Sequence, residues 1–171
     1  MIEMHVMGIA LDTRTGSPIV VLHDTENRKA LPIWIGSAEA SAIIRKIENI
    51  KVQRPMTHDL IINITKEMGY TIDRIEIADV EEETYFANII IQDKDGNETV
   101  IDARPSDAIA VAIRVDAPIY VTANVLADGS VSCDLQKDEE EAQEFRSFIQ
   151  TIKPSDFEKL MKERNNQDFD L

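Results

Sequence analysis

Residues 98–114 read ETVIDARPSDAIAVAIR, and the period changes within that run. The first six, ETVIDA (98–103), alternate and read as a strand. After Pro105 the small apolar residues Ala108, Ile109, Val111, Ala112 and Ile113 follow one another as they would on a buried helix. A proline near the start and Ser106 as a cap suit a helix beginning here. Asp102, Arg104, Ser106 and Asp107 crowd the mouth of that helix. The stretch therefore decides the local fold and raises the question of a site.

Reading backward, TYFANIIIQD (84–93) and ETVIDA form a hairpin around KDGN (94–97), where Asp95-Gly96 tolerates positive φ. YTIDRIEIADV (70–80) is a further strand. A helix is expected over 57–68, with Thr57 as N-cap, an apolar stripe of Leu60, Ile61, Ile64 and Met68, and Gly69 as its stop. Before it, IEMHVMGIAL (2–11), IVVLHD (19–24) and KALPIWI (29–35) read as strands. Pro32 argues for an edge or a bulge. From Ser37, a plausible N-cap, Ala40, Ile43, Ile44, Ile47 and Ile50 recur at helical spacing. Forward of the opening stretch, PIYVTA (118–123) is a strand.

SAEASAIIR (37–45) and SDAIAVAIR (106–114) share a serine start, an early acid, a small-residue middle and an Ile-Arg end, each after a hairpin. This points to a degenerate duplication of a strand–strand–helix unit. Two amphipathic helices capped alike would look similar too. The expected fold is α+β: a mixed, mostly antiparallel sheet packed with helices, over residues 1–136. The remainder, 137–171, reads as an acidic C-terminal helical extension. Within it KDEEEAQEFRSFIQTI (137–152) is expected as one helix with Phe145, Phe148, Ile149 and Ile152 on one face. PSDFEKLMKER (154–164) starts another, with Ser155 and Glu158 at capping-box spacing.

The formal charge is −14, from 32 acidic and 18 basic residues. Such a balance repels nucleic acid and anionic membrane at long range. Cys133 is the one cysteine, so no intrachain disulfide can form, which fits a reducing compartment. MIEMHVMGIAL lacks a basic n-region and alternates like a strand, and no apolar run is long enough to span a bilayer. These features read as a soluble cytoplasmic protein. No Walker loop, G-x-G-x-x-G, H-E-x-x-H or Cys/His zinc spacing occurs.

Two Arg-Pro segments carry the chemistry-bearing residues. In the first, Arg54 precedes His58 and Asp59; in the second, Asp102 and Arg104 precede Ser106 and Asp107. His58 could serve as a general acid or base. Asp59, Asp102 and Asp107 could offer oxygens to magnesium or manganese. Arg54 and Arg104 could grip phosphate, with the helix start at Ser106 assisting. Each has a plainer use. Thr57 and Ser106 suit caps, Asp59, Asp107 and Glu39 suit helix dipoles, and Arg104 could simply pin its loop to a neighbouring aspartate.

Together with LPIWIGSAEASAI (31–43) and YFANIII (85–91), the segments RPMTHDLI (54–61) and DARPSDAIAVAIR (102–114) resemble, in order, the bifunctional nuclease domain family. The resemblance covers roughly residues 2–135. It implies an α+β fold, self-association into a homo-oligomer, and hydrolysis of RNA or DNA. It brings signature membership for Arg54, Pro55, Thr57, His58 and Asp59, and for Asp102, Arg104, Pro105, Ser106 and Asp107, but no established catalytic set. Two functions stand at this point. One is a nuclease with His58, Asp59, Asp107 and Arg104 as catalytic residues, Arg54, Arg104 and Ser106 on phosphate, and Asp102 and Asp107 on a divalent metal. The other is a non-catalytic oligomeric module with an anion or small-ligand pocket.

Overall fold

The structure, a computed structural model, describes residues 1–133 and 139–167. β1 (Ile2–Asp12), β2 (Pro18–Asp24) and β3 (Lys29–Trp34) form an antiparallel meander. Asp24 fixes its second turn, accepting at Oδ1 from the N–H groups of Arg28 (2.7 Å) and Lys29 (3.1 Å). α1 (Ser37–Ile47) and α2 (Thr57–Glu67) follow. β4 (Thr71–Glu81), β5 (Thr84–Gln92) and β6 (Glu98–Ala103) make a second meander, and α3 (Pro105–Val115) comes after it. The chain then runs through β7 (Ile119–Val121), α4 (Ala123–Gly129), β8 (Val131–Ser132), α5 (Glu139–Phe148), β9 (Ile149–Thr151) and α6 (Pro154–Gln167).

Among the described residues one nine-stranded sheet has the order β6-β5-β4-β7-β1-β2-β3-β8, with β9 also on β1. Every pairing is antiparallel except that of β4 with β7. The fold is α+β. The strand–strand–helix unit recurs as expected and gains a strand, giving β1-β2-β3-α1 and β4-β5-β6-α3 on the two sides of β7.

Irregular alternation in the sequence has a structural cause. β1 slips register between Val6 and Gly8, so its inward residues change from Met4 and Val6 to Ile9 and Leu11, while Met7 stands exposed. β4 slips twice, and its inward residues become Ile72, Ile75, Ile77 and Val80. Pro32 sits beyond the two residues of β3 that pair with β8, so its missing N–H costs the sheet nothing. α1 and α3 cover one face of the sheet over the main core, and α2 packs beside α3. On the other face Phe145 of α5 covers Ala10, Ile19, Val21 and Ala30.

The tail corrects one expectation. The helix foreseen over 137–152 ends at Phe148, and Ile149–Thr151 instead pairs with Ala10, Leu11 and Asp12 of β1. The free upper edge of β1, which short β7 leaves open, offers ladder hydrogen bonds that helical periodicity cannot reveal. Residues 137 and 138 lie outside the described residues. Phe157 of α6 is buried in the main core, so the tail packs on the body of the sheet. A second difference concerns α2. Its apolar stripe of Leu60, Ile61, Ile64 and Met68 faces outward, 37% to 69% exposed, and its inner edge is His58 and Ile62.

Candidate functional site

Three helix starts converge, and none is capped as the sequence suggested. The N-caps are Gly36, Met56 and Arg104, not Ser37, Thr57 and Ser106, and none of the three makes a side-chain cap bond. Pro105 occupies the first helical position of α3 and holds Arg104 extended at φ −68, ψ 144. At α2 a first-turn acid does the capping work: Asp59 accepts the Met56 N–H at 2.8 Å through Oδ2, which frees Thr57 from that duty.

Asp107 lies one turn into α3 and points back over the preceding turn. There it meets two cationic or donor groups. His58 Nε2 stands 3.0 Å from Asp107 Oδ1. Arg104 donates from Nε to Oδ2 at 2.7 Å, and a second guanidinium nitrogen lies at the same distance. The remaining arm of Arg104 reaches Glu39 of α1 at 3.0 Å. Gly36 makes room for that glutamate, since a Cβ on Gly36 would overlap the Glu39 carboxylate. Burial alone would raise the Asp107 carboxyl. The hydrogen bonds from Arg104 and His58, with the charge of both, outweigh it and hold the group below its ordinary value. Asp107 is therefore an anion at neutral pH, so His58 Nε2 carries the shared proton and donates it. His58 is buried, yet its Nδ1 has no partner among the described residues and is not sealed from solvent.

A second tie lies further along α3. Arg114 donates to Asp59 Oδ1 (2.9 Å), to the Ala110 carbonyl (2.7 Å) and to the Ala42 carbonyl of α1 (3.0 Å). One guanidinium thus joins all three helices. For Asp59, too, burial would raise the carboxyl, and the bonds from Met56 and Arg114 bring it below the ordinary value.

The expected site residues divide accordingly. His58, Asp107 and Arg104 are brought into direct contact. Asp59 is one residue away in sequence but turned to Arg114. Ser106 is buried at the start of α3. Arg54 is exposed and makes no ion pair or hydrogen bond among the described residues. Asp102 does not join the cluster. It is exposed, and its register with Asn88 puts it on the face of β6 opposite Ile101 and Ala103, which pair with the core residues Ile89 and Ala87. Among the described residues no three His, Cys, Asp or Glu side chains stand together as a metal centre.

Sequence reasoning missed Glu39 as a partner of Arg104 and Arg114 as the tie. The signal for Arg114 was the shared Ile-Arg ending of the two repeated helices, which by itself reads as a cation at a helix C-terminus. A larger hollow of about 1120 Å³ lies elsewhere, beside Trp34, Tyr85 and Phe148. Glu82, Glu83, Asp128, Glu141 and Glu144 line it, so its field repels phosphate. No helix among the described residues is long and apolar enough to cross a membrane.

Comparison with known proteins bears on this cluster. The sequence model of the bifunctional nuclease domain matches residues 20–134, which include all three helices and both Arg-Pro segments. An uncharacterized protein of Mycobacterium tuberculosis is 34% identical over 91% of this chain and 97% of its own length. Bifunctional nuclease 1 of Oryza sativa subsp. japonica is 27% identical over 67% of this chain and 35% of its own. Bifunctional nuclease 1 of Arabidopsis thaliana is 30% identical over 53% and 29%. The chain thus spans about a third of the plant proteins it matches.

Proposed function

The chain belongs to the bifunctional nuclease domain family, and from that premise we propose that it hydrolyses phosphodiester bonds of RNA or DNA at the cluster of His58, Asp107 and Arg104. The observation that carries this reading is the 3.0 Å contact of His58 Nε2 with Asp107 across two helices. Asp107 fixes the tautomer, so the lone pair stays on Nδ1, the nitrogen that reaches solvent. From there His58 takes a proton from the attacking water or hydroxyl; as the new P–O bond forms the old one breaks, and the departing oxygen takes a proton from solvent. Arg104 lies beside it with two-thirds of its side chain exposed, and the N–H groups that Asp107 and Glu39 leave over can donate to a phosphate oxygen whose charge grows during attack. Arg54 adds a peripheral contact for the nucleic-acid backbone. Asp59 positions α2 through Met56 and Arg114 and does not touch the reacting atoms.

The magnesium or manganese expectation rested on Asp102 and Asp107. Both Asp107 oxygens face His58 and Arg104, and Asp102 lies on the other sheet face, so this donor set does not make a cation site. The assay uses highly purified protein on single-stranded RNA and DNA, with magnesium, manganese or chelator. His58→Ala and Asp107→Ala are each expected to lower hydrolysis about 100-fold or more. Activity that survives His58→Ala, Asp107→Ala and Arg104→Ala together would move the reaction to another place.

The outward stripe of α2 favours self-association as a companion reading. Leu60, Ile64 and Met68 are each about half or more exposed, an apolar surface that a second copy would cover. Light scattering should then report a homo-oligomer that Leu60→Glu with Ile64→Glu dissociates. A wild-type monomer at micromolar concentration would count against it.

A further inference from the structure

A cavity of about 450 Å³ opens between the end of α1, the connection that follows it, and α2. Its charge runs against that of the chain. Arg45, Lys46, Lys51 and Arg114 line it with a single acid, Asp59, in a protein whose formal charge is −14. The acid is already held by Arg114 and Met56. Lys46 and Lys51 have no ion-pair partner among the described residues, and Arg45 has only a long 3.6 Å contact with Glu158 of α6. Three cations therefore converge on this cavity without a close anion to satisfy them. In a field that is negative elsewhere, such a spot concentrates anions.

The wall is fixed rather than loose. Asn49 takes φ 52, and α1 ends with bonds from the Asn49 N–H to the Lys46 carbonyl and from the Ile50 N–H to the Arg45 carbonyl. That double closure turns the chain sharply where it enters the lining at Ile50. Ile50 and Val52 are about 40% exposed, and with Met56 they give the lining an apolar part beside the cations. The volume lies within the range of small-ligand sites, and the pairing of apolar and basic lining suits a ligand with an apolar body and an anionic end.

We propose that this cavity binds the phosphate of a nucleotide, with Lys46, Lys51 and Arg45 on the phosphate and Ile50, Val52 and Met56 against the nucleoside. The assignment goes beyond the hydrolysis reading and does not depend on it. The cavity does not include His58, Arg104 or Asp107. A phosphate could arrive on a free mononucleotide or on a nucleic-acid strand, and the chemistry recognised is the same.

The test is calorimetric titration of the full chain with AMP, with adenosine, with inorganic phosphate and with a short single-stranded oligonucleotide. AMP is expected to bind at least tenfold more tightly than adenosine or inorganic phosphate. Lys46→Glu with Lys51→Glu should weaken AMP at least tenfold, and Lys46→Gln with Lys51→Gln should fall between. Lys51 is exposed and Lys46 partly so, and an unchanged melting temperature confirms that the variants fold. If AMP displaces the oligonucleotide, the strand enters the same cavity by its phosphate. If the oligonucleotide binds and AMP does not compete, the nucleotide assignment is overturned. Equal binding of adenosine and AMP, or an AMP affinity indifferent to the lysines, overturns the phosphate assignment as well.

Discussion

α1 and α3 are two copies of one pattern, and they have met different fates. SAEASAIIR and SDAIAVAIR both form eleven-residue helices after an antiparallel meander. In α3 every residue from Ala108 to Ala112 is fully covered; in α1 only Ala40, Ile43 and Ile44 are buried. The difference lies in what packs outside each helix. α3 has α1 on one side and α2 on the other, whereas α1 has α3 and the C-terminal α6. The arginines that end the two copies show the consequence. Arg114 is 8% exposed in its side chain and tied to Asp59 and two carbonyls. Arg45 is 34% exposed and meets only Glu158, at 3.6 Å. A repeated pattern thus fixed the helices, while the neighbour each helix acquired decided whether its polar ends became a buried network or a hydrated rim.

The largest expected effect separates those two arginines. Arg114→Met removes the cation from partly buried Asp59 and the extra donor that two helix carbonyl groups share. A loss of about 3 kcal/mol is expected for breaking such a pair. Arg45→Met should cost no more than about 1 kcal/mol, because its pair is long and hydrated. Urea denaturation of the two variants measures both. Equal losses would mean that the copies are energetically alike. Arg114→Lys should recover only part of the loss, since an ammonium cannot present a planar fork to three acceptors.

A smaller effect tests whether His58 and Asp107 act as one unit. His58→Gln and Asp107→Asn, measured singly and together, should show a coupling of about 1 kcal/mol in stability, and their effects on hydrolysis should fall short of additive. His23→Ala is the control. His23 sits across from His5 on neighbouring strands, outside the helix cluster, and should leave hydrolysis unchanged. Additive losses at His58 and Asp107 would reduce the contact to coincidence of packing.

Much of this arrangement was legible before the structure. Periodicity and turn chemistry placed the meanders, α1 to α3 and the recurrence, and the Arg-Pro segments pointed to His58, Arg104 and Asp107. What was not legible depended on tertiary choices. Whether Asp102 joined Asp107 turned on strand register, since one residue along β6 reverses the face. The apolar residues of α2 looked like a buried stripe, but α2 meets α3 through His58, Asp59 and Ile62, an inner edge that amphipathic counting passes over. β9 was hidden within a helical pattern because its pairing depends on an edge that only the assembled sheet leaves open.

Acid should weaken the α3 side of the comparison first. Asp59 and Asp107 are both held below the ordinary carboxyl value of 3.8. A depressed folded-state pKa adds stability at all pH above the unfolded value, and that stability is withdrawn as pH falls through the folded value. The contribution is complete at neutral pH, begins to fade below about pH 4, and is gone once both groups are protonated in the folded chain. Asp59→Asn and Asp107→Asn should each lower stability at neutral pH and flatten its decline below about pH 4. A decline as steep as wild type in the double variant would place the acid-sensitive groups elsewhere.

The smallest expected effect belongs to the α1 side. Glu158→Gln removes the one ion-pair partner that Arg45 has among the described residues, and the change in stability should stay within about 0.5 kcal/mol and shrink further in high salt. α6 should remain docked in the variant. Its attachment comes from Phe157, 1% exposed within the main core, while the ion pair is a surface contact beside it. The same substitution leaves Arg45 without its anion at the rim of the basic cavity, so AMP binding should strengthen modestly even as stability barely changes. Tighter AMP binding at nearly unchanged stability would show that Arg45, unlike Arg114, is held by the fold loosely enough to serve a ligand. A loss of stability comparable to that of Arg114→Met would instead make α6 a structural equivalent of α2, and the contrast between the two copies would fail.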